Sequence, residues 1–469
     1  MIKVNHLSTK KLNTGQVFSY GAGNLGLNLF FASISTYLLY FYTDNFGLTA
    51  VAAGNLMFLV QLINLVINPL MGVLIDRTNS RWGKFRPYIL FGCIPLAVIG
   101  ILTFTVPPLD ASGKLVYAYI TYILFNITYA IVNVPYSSLL ADMSNDYHMR
   151  SRISSIKVSL GQAGGLIVSV ATLPLVHLFA NEANGFQVIY SIFGLILILT
   201  LMTTFFGTKG LGQTASDNKA QTGYAKKPNN LPITSTLKAL IKNKYLLLLL
   251  VYIVVNMVSL ATKNAVAVYF FKYNVGQPNL FSLYSLVGFG ILILFVLLNP
   301  IFVKKIGKRN VGILSQSIVI VALGGFYLFH DSLIGVFVFG GLSYVGFGLA
   351  TPLLWSMLPD TIEYGEWKTG IRSEGTIYAA FIFAQLFAQA IGAKVSGAIL
   401  GAIGYVPNAV QTPTALHGIV MMQTVIPIVG AVIGILILMF YKLDHQTFSR
   451  IVEEIKERNE KKADEIQVS

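Results

Sequence analysis

Charge is scarce in this chain of 469 residues: Asp, Glu, Lys and Arg supply 11% of it, where a water-soluble domain carries about 25%. The acids are scarcest where they would matter most. Twelve apolar segments run through the sequence and none of the 19 Asp and Glu falls inside one; Asp44, Asp76, Asp142, Asp360, Glu363, Glu366, Glu374 and Glu453 sit in loops, at segment ends or in the tail. No carboxylate is therefore left at membrane depth to hold Na⁺ or a proton. Cysteine is nearly absent too. The single Cys93 lies in an apolar run, which excludes a disulfide framework and a cysteine metal cluster. The six His are scattered without metal-ligand spacing, and no catalytic constellation or cofactor motif occurs, which excludes an enzyme. No cleavage-site pattern follows the polar start MIKVNHLSTKKLNTGQ, so no removable signal peptide is expected.

What is present is apolar length. Hydrophobic residues make up 55% of the chain, in stretches near the ~20 residues that a helix needs to cross the hydrocarbon core. Short alternating segments, the mark of a β-barrel, do not occur. Spans are read at 17–43, 50–75, 87–107, 116–141, 153–177, 186–206, 246–271, 280–303, 311–330, 333–358, 375–403 and 417–441. The fold class is thus an all-α membrane protein of twelve helices. Of the 33 Lys and Arg, only Lys114 and Lys272 lie in loops after odd-numbered spans, Lys157, Lys263 and Lys394 lie within spans, and the remaining 28 fall on the other side. The positive-inside rule then places both termini in the cytoplasm. The net charge of +14 follows from this topology and from contact with anionic lipid, and no nucleic-acid partner is needed to explain it.

The spans divide six and six, giving bundles at 1–206 and 246–441, a cytoplasmic linker at 207–245 and a tail at 442–469. The linker's end, PITSTLKALIKNKY, fits a short amphipathic helix on the membrane surface. The tail, with VEEIKERNEKK, reads as a charged solvated helix or disordered end without a transport role. Span two ends Asn68-Pro69 before a basic loop, and span eight ends Asn299-Pro300 before another. Such an echo predicts a duplicated six-helix unit with a ligand site between its halves. Gln61, Asn64 and Asn68 stand at i, i+3 and i+7 on one face of span two. Asn126, Tyr129, Asn133 and Ser137 do the same on span four, and Gln385 and Gln389 on span eleven. Singly, such residues glue helices together. Three stripes predict a polar cavity, whose amides donate to and accept from hydroxyl groups. Lys157 stands near the end of span five, where it either hydrogen-bonds a ligand or snorkels. Lys263 lies nearer the middle of span seven with no acid to pair with. Water contact or snorkelling is the ordinary fate of such a lysine, and a negatively charged ligand would give it a partner. Lys394 has the same choices.

Residues 72–90 read GVLIDRTNSRWGKFRPYIL, where Asp76, Arg77, Arg81, Lys84 and Arg86 form a charge cluster. This resembles the cytoplasmic loop signature of the major facilitator superfamily. Residues 360–375 read DTIEYGEWKTGIRSEG; with RWGKFRP and GYVPNAVQTPTALHGI at 403–418, they resemble the glycoside–pentoside–hexuronide cation symporter family, whose best-known member is melibiose permease. The resemblance covers nearly the whole chain. It implies a secondary transporter in a bacterial cytoplasmic membrane, moving a sugar or glycoside by alternating access. Tyr364, Trp367 and the mixed charges Glu363, Glu366, Lys368, Arg372 and Glu374 read as an ionic inner gate with partners among Arg77, Arg81, Lys84 and Arg86, a solvated loop being the alternative. The family's functional positions fall on altered residues. Its helix-one aspartate falls on Asn28, its helix-two aspartates on Asn64 and Asn68, the preceding arginine on Gln61, the helix-four aspartate on Asn133 and the helix-eleven lysine on Leu386. Tyr129 and Ser137 stand at its sugar-contact positions, Ser137 in place of an aromatic. The departure argues against a bound Na⁺ or H⁺ co-substrate and for a facilitator or exchanger. A symporter using other ligands, since amide and backbone oxygens also bind cations, and a lipid transporter or sensor on the same scaffold are the alternatives.

Overall fold

The computed structural model describes residues 13–78, 80–143, 147–209, 240–371, 374–443 and 445–468. The described chain is helical throughout: α1 (Thr14–Tyr40), α2 (Ala50–Asp76), α3 (Arg86–Thr103), α4 (Ala111–Met143), α5 (Tyr147–Val176), α6 (Glu182–Gly207), α7 (Lys244–Tyr269), a segment Leu280–Leu328 holding α8 and α9, α10 (Leu333–Thr369), α11 (Glu374–Ala402), α12 (Pro413–Phe440) and α13 (His445–Val468). Among the described residues eleven apolar helices are long enough to cross a membrane. The twelve spans read from sequence are recovered because Gly307, at φ 79°, breaks the 49-residue segment between α8 and α9. A positive φ of this kind is one that only glycine adopts at little cost. Most of the amphipathic stretch read at the end of the linker lies outside the described residues.

Helix starts follow local capping. Asn181, Asn243, Ser332 and Thr412 each accept a hydrogen bond from a backbone N–H in the first turn of α6, α7, α10 and α12. Gly370, at φ 72°, closes α10. Large apolar side chains such as Val66, Leu297 and Phe440 point outward and are well exposed, as expected of surfaces that meet lipid.

By contact the chain forms two compact units, residues 1–34 with 66–226 and residues 35–65 with 227–469. In the first, Tyr20 and Tyr136 stack at 4.8 Å and each donates its hydroxyl to the other's backbone carbonyl, at 3.1 and 2.7 Å. In the second, Leu249, Tyr252, Leu353, Met357 and Leu438 form the center of a core that extends to Ile451 and Ile455 of α13. The tail is thus a docked helix where the sequence reading left it solvated.

Helices α1 and α7 both end in a π turn, Phe41–Asn45 and Phe270–Asn274. The sequences align as YFYTDNFG (40–47) and YFFKYNVG (269–276). Their backbones repeat one pattern: Phe46 N–H to Phe41 O and Leu48 to Tyr42, against Val275 to Phe270 and Gln277 to Phe271. Each is followed by a glycine at positive φ, Gly47 at 88° and Gly276 at 72°. This second internal echo joins the Asn-Pro one.

Candidate functional site: polar helix faces and a buried ionic latch

In the first unit α1 and α5 meet at glycines. A Cβ on Gly161 would lie 2.2 Å from Asn24 Nδ2 and 2.9 Å from Asn28 Nδ2, and one on Gly164 would lie 2.6 Å from the Leu25 carbonyl oxygen. Only the missing side chains let both amides lie against α5. Asn24 donates to the Lys157 carbonyl and Asn28 to the Asn24 carbonyl, each at 2.9 Å. The Lys157 ammonium turns to Ser137 Oγ at 3.3 Å and lies over the Tyr136 and Tyr20 rings at 5.1 and 6.0 Å. Asn28, Ser137 and Lys157 therefore share one polar surface with Asn24, Tyr20 and Tyr136, which the sequence reading did not single out. Asn24 carried a usable signal, standing one helical turn before Asn28. On α4, buried Asn126 donates to the Tyr122 carbonyl at 2.8 Å, and Tyr129 stacks on Phe125 and Phe31 at 5.8 and 6.3 Å. Asn133 and Asn68 are half-buried.

The second unit holds Gln61, Asn64, Lys263, Gln385 and Gln389. Asn64 donates to Gln61 Oε1 at 2.9 Å, so the i, i+3 pair is satisfied within its own helix. Gln385, Leu386 and Gln389 are half-buried on α11. Helix α11 meets α2 closely enough that a Cβ on Gly397 would stand 2.4 Å from the Ala50 carbonyl oxygen. The Lys394 ammonium lies over the Phe58 ring at 4.7 Å. Lys263 is 1% exposed and sits over Tyr344, Phe347 and Tyr284 at 4.5, 5.6 and 5.8 Å. Placing a lysine at the center of a membrane helix costs about 2.5–3.5 kcal/mol on insertion scales. A desolvated cation–π contact returns up to about 2 kcal/mol. The three rings thus offset part of that cost, and they offer its N–H groups no oxygen.

The most concentrated charge site was not read from sequence, because Asp44 and Lys272 were assigned to loops. The two π turns carry both residues inward. Lys272 Nζ meets Asp44 Oδ1 at 2.9 Å, with the carboxylate fully buried. Thr43 at 2.7 Å, Tyr405 at 2.5 Å and Tyr273 also donate to this carboxylate. Lys272 further donates to Tyr40 at 2.9 Å and Asn408 at 2.7 Å, and the Asn408 amide donates to the Asp44 carbonyl at 2.5 Å. Burial, and then the Asp44 carboxylate, hold the Tyr405 phenol far above its usual range, so it remains a donor. The latch ties the end of α1 to the end of α7 and to the α11–α12 loop.

The expected gate residues take several positions. Arg77 and Arg81 are exposed, Arg81 lying over Trp82 at 4.3 Å, and Lys84 lies over Phe85 at 5.9 Å. Arg86 is buried, where it donates to the Phe205 carbonyl at the end of α6 at 3.2 and 2.6 Å. Asp360 pairs with Lys308 at 2.6 Å. Glu363 and Glu366 are half-buried on α10, while Arg372 and the side chains of Asp76 and Glu374 lie outside the described residues.

The docked tail reaches this region directly. Trp367 Nε1 donates to Glu454 Oε2 at 2.6 Å, and Arg458 donates to the Glu366 and Trp367 carbonyls at 3.1 and 3.2 Å. The Glu366 carbonyl already accepts from the Gly370 N–H at 2.8 Å, so Arg458 adds a second donor there and supplies one to the Trp367 carbonyl, and its charge suits the negative end of the helix. Replacing Arg458 by Ala is expected to destabilise this end of α10 by about 1.5–3 kcal/mol. The measure is the melting temperature of the detergent-purified protein, and an unchanged value would show that the clamp carries no weight.

Residues 19–445 match the profile of the family described as MFS/sugar transport protein. An isoprimeverose transporter of Lactiplantibacillus pentosus is 35% identical over 91% of this chain and 88% of its own. An uncharacterized symporter, YnaJ, of Bacillus subtilis (strain 168) is 33% identical over 98% of each chain. A putative sulfoquinovose importer of Escherichia coli (strain K12) is 29% identical over 97% of this chain and 96% of its own. Among solved structures, a D-xylose–proton symporter superposes with a TM-score of 0.66 at 14% identity, covering 90% of this chain and 96% of that one. The inward-open xylose transporter XylE from E. coli gives 0.62 at 12% identity, covering 94% and 98%.

Proposed function

We propose that this chain, which belongs to the MFS/sugar transport protein family, moves its sugar or glycoside by facilitated diffusion or exchange, without a coupled cation. It is a multi-pass secondary sugar transporter of the cytoplasmic membrane and not an enzyme. Within that family the loop strings at 72–90, 360–375 and 403–418 support a glycoside–pentoside–hexuronide member. The observation that carries the uncoupled reading is the set of amides at Asn28, Asn64, Asn68 and Asn133, with Leu386 in place of a lysine. The side chains of Asn28, Gln61, Asn64, Asn68, Asn126, Tyr129, Asn133, Ser137, Lys157, Lys263, Gln385 and Gln389 are taken as the sugar-binding residues, on their polar spacing along the helices and on the family resemblance. The paired echoes at Asn-Pro and at the π turns support two six-helix bundles, 1–206 and 246–441. The distribution of Lys and Arg supports cytoplasmic termini. Opposite charges at 76–86 and 360–375 support an ionic gate on that side.

Counterflow in proteoliposomes tests transport itself. With unlabelled sugar inside and a labelled trace outside, in Na⁺-free buffer at equal pH, a pulse of labelled uptake well above that of empty vesicles is expected. Isoprimeverose and xylose are the first sugars to try, given the isoprimeverose relative. A panel of neutral and acidic pentosides and hexosides that gives no pulse with any member would overturn the reading.

A further inference from the structure

We infer that Lys263 is an anion subsite, so that the sugar this protein is built to carry bears a carboxylate or sulfonate. The inference rests on the sugar-transport reading and deepens it. Lys263 makes ring contacts only. Among the described residues its ammonium has no ion pair and no hydrogen bond, although it is 1% exposed. A buried ammonium keeps three donors that a ring face cannot satisfy as an oxygen would. Beside it stand further polar groups in the same condition. The Tyr284 hydroxyl faces the Gln423 amide, and neither the hydroxyl nor either end of the amide completes a hydrogen bond among the described residues. Buried polar groups are rarely left in this state without a reason.

The cage is also built for its rings. A Cβ on Gly288 would lie 2.4 Å from the Tyr344 ring, and one on Gly340 would lie 2.5 Å from the Tyr284 ring. Glycine at both places lets the aromatic walls close on the lysine. Tyr344 and Phe347 are only half-buried, so the cage is not sealed on their side. A ligand oxyanion would accept from the ammonium, with the Tyr284 hydroxyl and Gln423 Nε2 as further donors, while the sugar ring packs on the aromatic faces. A neutral sugar would leave the ammonium without a counter-charge in a region of low dielectric.

The test is competition against counterflow of a labelled neutral glycoside by full-length protein in proteoliposomes. The competitors are glucuronate, a 6-sulfonated glucose and their neutral parent, methyl glucoside. In the parent protein the two anions are expected to compete at roughly 10- to 100-fold lower concentration than methyl glucoside, the worth of a charge-assisted hydrogen bond. Lys263→Met should bring the three competitors to equal potency, and an unchanged size-exclusion profile in detergent reports that the variant is folded. Lys263→Arg should keep part of the advantage. The two anionic arms separate a carboxylate preference from a sulfonate one. Equal competition by acid and neutral parent in the wild type, or an unchanged preference in Lys263→Met, overturns the inference while the sugar-transport reading stands. No counterflow with any sugar, neutral or acidic, removes both.

Discussion

Replacing Asp44 by Ala is expected to cut transport by one to two orders of magnitude, the largest loss expected from any single side chain outside the sugar path. The carboxylate is fully buried and accepts from Lys272, Thr43, Tyr273 and Tyr405 at once. Removing one partner of a buried pair costs roughly 3–5 kcal/mol, because the other charge is left without compensation. If the latch closes one face during the cycle, that energy shifts the closed-to-open ratio by roughly 10²- to 10⁴-fold. The protein would then spend most of its time with that face open, and turnover would fall more than affinity.

Two further variants separate latching from plain destabilisation. Lys272→Met alone should do less harm, since three hydroxyl donors still face the carboxylate. Asp44→Asn combined with Lys272→Met should recover part of the lost activity, as removing both charges relieves the buried imbalance. The single native cysteine, Cys93, is buried, so an introduced cysteine can report on opening with little background. Ala53 is fully buried in the first turn of α2, which follows the Asp44 turn in the chain. A cysteine there should resist an impermeant maleimide in the parent and react in Asp44→Ala. Normal counterflow together with an unreactive Cys at position 53 in Asp44→Ala would exclude a latch.

The sequence made the helices legible because membrane spans must be long, apolar and satisfied in their own backbone hydrogen bonds. Their ends were harder to place. A hydropathy reading stops at the first charge, so Asp44 and Lys272 were assigned to loops, although each π turn carries the helix one turn further and buries the charge against a partner over 200 residues away. The tail was misread for a related reason. Its charged majority hid the apolar pair Ile451 and Ile455, spaced i, i+4 and sufficient to dock it. At the polar faces, residue types were visible from spacing and resemblance, but their surroundings were not. The glycines that admit Asn24 and Asn28, and the rings around Lys263, come from separate helices that no local pattern links.

An imposed Na⁺ or H⁺ gradient is expected to leave sugar accumulation near its equilibrium value. A tenfold gradient of a monovalent cation stores about 1.4 kcal/mol, which one-to-one coupling would convert into about tenfold accumulation. That conversion needs a group whose charge or coordination changes with the ion. The four positions where the resembling family has aspartates hold Asn28, Asn64, Asn68 and Asn133, and an amide neither releases a proton near neutral pH nor offers a negative charge. Two of these amides are also engaged locally, Asn28 with the Asn24 carbonyl and Asn64 with Gln61. The acids that the helices do contain are near their ends, with Asp44 held by Lys272 and Asp360 by Lys308. Restoring one acid as Asn64→Asp is not expected to create coupling. The new carboxylate would accept from the Gln61 amide once that amide turns, and Leu386 supplies no cation to release when Na⁺ binds. Uptake by de-energised vesicles, followed with and without each gradient, decides the matter. Accumulation approaching tenfold that collapses when the gradient is dissipated would show that a cation site exists on groups other than these carboxylate positions.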